Sequence, residues 1–410
     1  MVMSKTPQEL AKERVDRQMA CFNLEVPDKV PLWGIGGDVV PEYSGMTQQE
    51  FAYDYPKAIE AIRKYNTDFQ FDAPSGSISG LDGRVFNVAF SGDDRISPRV
   101  TFITGPMHDV LGDKYYKFPG NEVGENASPQ FVGASFMDVD EYDDLIADPV
   151  DFIANTVLPR ACTNLATPKQ AMETWTQFGI EVERFGNAGK EVGKVFAELG
   201  YGSIPMGGAY TPLDIIGDFL RGITNTVLDL RRHPEKVKAA AEALFEPLFK
   251  YSMAYKKMGF EWVMIPLHLN EYLSPKLFNE FYWPLLRKMI TELYKEGVRS
   301  RVFFEGHHEP HLETILDLPK GWGVAYFEKT DIVKAKQVLK DNCCVAGGLP
   351  ISLIVSGTPE RIDAYIKELF EQVKPGGGFI LSPSIGNAPE GTSLENIRAV
   401  IDAVEKYGYY

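Results

Sequence analysis

The sequence predicts an α/β protein folded as a (β/α)8 barrel, with a helical N-terminal extension and a long insertion. Three observations carry this. About eight short apolar runs, near Trp33, Phe69, Ile204, Val263, Phe303, Ala325, Val345 and Ile380, read as strands. Helical stretches alternate with them, and repeated β-then-α units imply parallel strands joined by right-handed crossovers. Gly34-Ile35-Gly36-Gly37, after the first run, is a poor phosphate-binding turn, which sets aside an open dinucleotide-binding sheet.

Taken in order, Thr6 to Cys21 has the pattern of an amphipathic helix, and Pro27 to Pro31 breaks the chain. Val30 to Ile35 is the first strand, Thr47 to Tyr65 a helix, and Asp68 to Asp72 the second strand. Pro74 to Pro159 is irregular and rich in Gly, Pro, Asp and Ser, so residues 73–160 are expected to form an insertion or lid over the barrel mouth of one 410-residue domain. Helices resume from Pro168 to Leu199. Strands follow at Ser203–Met206 and Trp262–Ile265, with helices through Tyr255 between them.

Ser274-Pro275 starts the next helix, since serine caps and proline fits the first turn. Leu277, Phe281, Leu285, Met289 and Leu293 recur at helical spacing until Gly297 stops it. Strands at Val302–Phe304, Val324–Phe327, Cys343–Ala346 and Phe379–Leu381 alternate with helices at His311–Leu316, Thr330–Leu339, Thr358 onward and Ser393 to Gly408. Asp331 reads as a helix cap, and Gly376-Gly377-Gly378 as a helix-ending turn.

A net charge of −15 and a low pI argue against a nucleic-acid partner, which needs a basic face. The four cysteines form no CxxC pair and read as packed, reduced thiols of a cytoplasmic protein. The charged N-terminus lacks the apolar core of a signal peptide, and no apolar run approaches the ~20 residues that span a bilayer. The expected partners are a small molecule and a second copy of the chain.

Barrel enzymes place their chemistry at the C-terminal ends of the strands. Gly297–Pro319 is the stretch that best fits this, because three of the six histidines follow an apolar run ending in Phe304-Glu305-Gly306. The candidate cluster is His268, Glu305 and His307 as catalytic residues, either as general acids or as a zinc site with an open position. His311 falls in the following helix, where a surface or capping role suits it. Trp33, Tyr43, Phe118, Tyr210, Asn270 and His308 are candidate substrate contacts. Tyr115, Tyr116 and Phe131 add to the aromatic side chains of the insertion and loop tips, and these favour a flat, largely apolar ligand.

The segments LSPKLFNEFYWPLLRKMI, TDIVKAKQVL, VAGGLPISLIVSGTPERI and GGGFILSPSIGNAPEGTSLENIRAVIDAV resemble the uroporphyrinogen decarboxylase superfamily. Val30-Pro31-Leu32-Trp33 and YTPLDIIGDFLRG fit it as well. The resemblance implies a (β/α)8 barrel. Uroporphyrinogen decarboxylases carry arginines after the first strand, where this chain reads GIGGDVVPEYSG. The superfamily's zinc methyltransferases carry a His-x-Cys at the strand ending here in Phe304-Glu305-Gly306, and another Cys near Ile385; both cysteines are missing.

The Glu-Gly after that strand and the insertion FMDVDEYDDLIADP are similar to a branch of corrinoid-dependent, O-demethylating methyltransferases. That branch implies methyl transfer from a methoxylated aromatic to the cobalt of a corrinoid (cobalamin) held by a partner protein. A decarboxylase or lyase on an aromatic or tetrapyrrole acid, and a non-catalytic corrinoid-binding barrel, are the alternatives.

Overall fold

The computed structural model describes residues 5–133 and 135–410. The first four residues, part of the stretch read as no signal peptide, and Ala134, inside the expected insertion, lie outside the described residues. Among the described residues the strands of three or more residues are β1 (Met206–Gly208), β2 (Trp262–Leu267), β3 (Arg299–Phe304), β4 (Gly323–Phe327), β5 (Cys344–Leu349) and β6 (Phe379–Pro383). The chain divides into two compact units.

One unit comprises Met1–Ile78, Ala188–Ile204 and Arg301–Tyr410. Its strands run in the order β6-β5-β4-β3. Val345 pairs with Phe379 on one side of β5 and with Ala325 on the other. Every residue of β4 and β6 is buried, as expected for strands covered on both faces, and this is why they read as unbroken apolar runs. The first expected strand joins here: Leu32 bridges Leu381 in parallel, and the Trp33 amide donates to the Leu381 carbonyl at 2.9 Å. Phe69 to Asp72 lies beside it, with the Asp72 amide donating to the Leu32 carbonyl at 2.9 Å.

The other unit comprises Ser79–Asn187 and Pro205–Ser300. In it β1 and β2 are parallel, with Gly207 opposite Val263. The stretch expected as an insertion supplies short helices and two small antiparallel ladders, Leu81–Asp82 with Phe102–Ile103 and Tyr116–Lys117 with Gln130–Phe131. Among the described residues parallel strands alternate with helices and 3-10 turns. That is the α/β class expected, and the N-terminal helix Pro7–Phe22, capped by Thr6, precedes it.

Three expected elements differ locally. The helix expected over Thr47–Tyr65 is two helices, Gln48–Tyr53 and Tyr55–Asp68. Pro56 removes an amide and disfavours helical geometry before it, so Asp54 ends the first helix and caps the second. The strand expected at Ser203–Met206 begins only at Met206, after Pro205, which cannot donate to a ladder. The helix expected at His311–Leu316 is a 3-10 helix spanning Glu309–Asp317. Ser274, Asp331 and Ser393 cap their helices as expected, and Gly297 takes φ +77° after the helix Trp283–Lys295. No helix among the described residues is long and apolar enough to cross a membrane.

Candidate active site

The chain after β1 reads Tyr210-Thr211-Pro212-Leu213-Asp214. Thr211 is the N-cap of helix Pro212–Ile215, which widens into a π-helical turn over Ile216–Leu220. Asp214 and Asp218 are four residues apart, so this turn carries both carboxylates on neighbouring positions of one face. Such π-turns recur at functional sites. Strand β2 ends at Leu267 and delivers His268 next.

His268 and Asp218 meet there. His268 Nδ1 lies 2.7 Å from Asp218 Oδ2, and the Tyr210 hydroxyl donates to the same oxygen at 2.7 Å. Asp218 is buried, whereas the His268 side chain keeps 24% of its exposure. With Nδ1–H directed at the carboxylate, Nε2 is the ring edge turned away from Asp218. Tyr210 is fully buried; burial, then Asp218, raises its hydroxyl well above the ordinary value and keeps it a donor.

Asp214 ties the same corner together. It accepts from the Leu269 amide at 2.9 Å, the Thr211 hydroxyl at 2.7 Å and the Tyr282 hydroxyl at 2.5 Å. Burial, then the Asp218 charge, pushes its carboxyl up to about 6, against opposing pulls from His268, Tyr282 and the Leu269 amide. A cation stands on the other side of Tyr210. The Arg84 guanidinium is buried, 5.5 Å from the Tyr210 ring centre, and bonded to Asp82 at 2.9 Å and to the Tyr251 hydroxyl. Gly208 makes this approach feasible, because a Cβ there would lie 2.0 Å from Arg84 Nη1.

Tyr210 and His268 are therefore brought together, with ring centres 5.7 Å apart. Asn270 is buried two residues beyond His268. Phe118 is buried against His108, and Tyr115 and Tyr116 are buried with it. Tyr115 and Phe131 both pack on Phe219; Tyr115, Tyr116 and Phe118 belong to the core of their unit, whereas Phe131 stays exposed at its edge.

The remaining candidates belong to the other unit. On β3, Arg301 and Phe303 share one face by the two-residue period of a strand, and Glu305 follows the strand's last residue. Beside them the Arg301 guanidinium lies 5.0 Å over the Trp33 ring, and Trp33 meets Tyr326 edge-on at 5.7 Å. Glu305 stands half-buried at the strand end, and the next amide, Gly306, donates to Glu328 at 2.7 Å. Tyr43 donates to Asp68 at 2.7 Å.

The two adjacent histidines diverge, as alternation requires. His307 turns outward, its side chain 68% exposed and 3.7 Å from Glu309. His308 is buried against Phe304 and Phe327, and burial, then His311, lowers its pKa well below the ordinary value, which keeps it neutral. Among the described residues no group of three or more His, Cys, Asp and Glu side chains is arranged to hold a metal ion.

Sequence reasoning missed Asp214, Asp218, Tyr282, Arg84 and Arg301. The i, i+4 aspartates in YTPLDIIGDF, directly after a strand, were the signal available for the first two. Arg84 and Arg301 carry no local pattern, because one lies inside the insertion and the other inside a strand.

Comparison with known proteins agrees with this fold. The family model described as uroporphyrinogen decarboxylase (URO-D) matches residues 150–407. A uroporphyrinogen decarboxylase from Pseudoalteromonas translucida (strain TAC 125) is 25% identical over 178 residues, 42% of this chain and 49% of that protein, so the chain spans about half the length of this curated relative. A solved methyltransferase from Methanosarcina mazei superposes with a TM-score of 0.64 at 17% identity, covering 98% of this chain and 99% of that one, a likeness of fold. With most of its length matched by the family model, this chain belongs to the uroporphyrinogen decarboxylase family.

Proposed function

We propose that this chain is a methyltransferase that takes a methyl group from a methoxylated aromatic and passes it to the Co(I) of a corrinoid carried by a partner protein, in the cytoplasm. The observation that carries the reading is the His268–Asp218–Tyr210 array at the ends of β1 and β2. The whole-chain likeness to a protein described as a methyltransferase supports it.

The reduced corrinoid is the second substrate, and its electron pair forms the new bond to the methyl carbon. The methyl–oxygen bond breaks, and its pair stays on the ether oxygen. A phenolate whose conjugate acid has a pKa near ~10 leaves poorly from a neutral ether. The task left to this chain is to put a proton on that oxygen. His268 suits it: Asp218 holds Nδ1, so Nε2–H delivers the proton in a fixed direction. Glu305, at the end of β3, is proposed separately as a general acid.

Arg84 favours one competing reading. A buried guanidinium beside Tyr210 is the group a carboxylate substrate needs, and a decarboxylase would use it. One experiment separates them. The purified chain is incubated with 4-methoxybenzoate and Co(I) cobalamin, and methyl-cobalamin and CO2 are both measured. Methyl-cobalamin formation that falls roughly 100-fold in His268→Gln, and falls in Glu305→Gln with little change in melting temperature, supports methyl transfer. CO2 release without cobalamin would replace that reading with the decarboxylase.

A further inference from the structure

Away from the strand ends, the second unit contains a cleft of about 780 Å3. Phe90, Ile96, Trp175, Phe178 and Gly179 line it, and Arg99 stands at its wall. Its volume falls within the range of small-molecule sites, and so does its make-up of apolar walls with few polar groups. We infer that this cleft is a second ligand site, built for a flat aromatic carboxylate.

Two features fix the apolar part of the guest. Phe90 meets Trp175 edge-on, with ring centres 5.4 Å apart at 85°, and Trp175 meets Phe178 at 5.6 Å and 78°. Perpendicular ring pairs offer both edges and faces, the contacts that aromatic guests make best. Ile96, on the wall, leaves 41% of its surface exposed, which gives an apolar guest surface to cover.

Charge fixes the head group. Among the described residues the lining holds Arg95 and Arg99 and no carboxylate, on a chain whose net charge is −15. Arg95 is engaged by Asp93 at 2.8 Å. Arg99 is the less tightly paired of the two: its contact to Glu183 is 3.3 Å long, and both side chains are 58% exposed, so solvent screens it and an incoming carboxylate competes. A guanidinium offers that carboxylate a planar pair of donors.

Gly179 supplies the test. It lies in helix Pro168–Glu198 and lines the cleft, and a Cβ built on it meets nothing within 4 Å. A larger side chain there occupies the cleft without a backbone clash, and replacing a helical glycine favours the helix. Calorimetric titration of the full chain with 2-naphthoate, with neutral 2-naphthalenemethanol alongside, reads the site.

Wild type is expected to bind the naphthoate at least ~10-fold more tightly than the alcohol. Arg99→Ala removes that preference while the alcohol still binds, and Gly179→Phe lowers naphthoate affinity at least ~10-fold. Gly179→Ala melts no lower than wild type, and His268→Gln binds naphthoate unchanged, which separates this cleft from the site at the strand ends. Equal binding of acid and alcohol, undiminished binding to Gly179→Phe, or loss of binding in His268→Gln would each overturn the inference.

Discussion

His268 Nδ1 and Asp218 Oδ2 are 2.7 Å apart, and the Tyr210 hydroxyl closes on the same carboxylate oxygen. One buried carboxylate thus accepts two donors and fixes the direction of the imidazole. Asp218→Asn keeps the volume but replaces the charged acceptor with a neutral amide, which holds the Nδ1–H of a protonated ring less strongly. The expected result is a fall in methyl-transfer kcat of roughly 100-fold with a much smaller change in KM, because the ring loses its orientation rather than its presence. Steady-state kinetics would show this, and an unchanged kcat would take Asp218 out of the site.

Tyr210→Phe leaves the ring and removes one donor from buried Asp218. It should lower stability by about 1 kcal/mol, the size of one intramolecular hydrogen bond. Urea unfolding measures it. If the variant is as stable as wild type, this bond adds nothing to the corner.

Asp214 gives the protein a pH dependence of definite sign. Burial and Asp218 raise its carboxyl from an ordinary 3.8 to about 6. The folded state therefore holds this proton more tightly than the unfolded chain does. Its contribution to stability is complete below about 4 and is lost as pH rises through about 6. Asp214→Asn should remove that fall, so the stability gap between wild type and variant should narrow from pH 4 to pH 6.5. Urea midpoints across that range test it; curves that stay parallel would refute the sign.

His108 works over a higher range. Its ring lies between Asp113 at 2.7 Å and Glu122 at 3.1 Å. Burial opposes its charge, but Asp113, Glu122 and Asp109 outweigh that and raise its pKa. A raised folded value means that its contribution is complete below about 6.5 and is lost as pH rises further. His108→Gln should therefore cost more stability at pH 6 than at pH 9. Thermal melts at the two pH values decide it.

Gly347 sits in β5 at φ +129°, and a Cβ there would lie 2.6 Å from the Phe327 carbonyl oxygen. Gly347→Ala should destabilise by about 1–3 kcal/mol, because both the torsion and the contact penalise a side chain. A melting temperature equal to wild type would contradict the geometry.

The architecture was legible because its signals are local. Strands β4 and β6 are buried on both faces, so apolar residues run unbroken through them. Ser274, Asp331 and Ser393 mark helix starts, since their side chains bond to amides three residues on or nearer. Where a local rule competed with the pattern, as at Pro56 and Pro205, the missing amide decided and the expected boundaries shifted.

The site was legible only in part. The sequence by itself determined that His268 and Glu305 follow apolar strands, and that alternation would send His307 and His308 in opposite directions. Only the tertiary structure decided which of the two faces outward, and that Asp218, 50 residues before His268, holds its ring. It also decided that Arg84 meets Tyr251 across 167 residues. The physical reason is range. Caps, turns and apolar periods act over a few residues and leave a mark in the chain, whereas a carboxylate and an imidazole find each other through the packing of whole strands and helices.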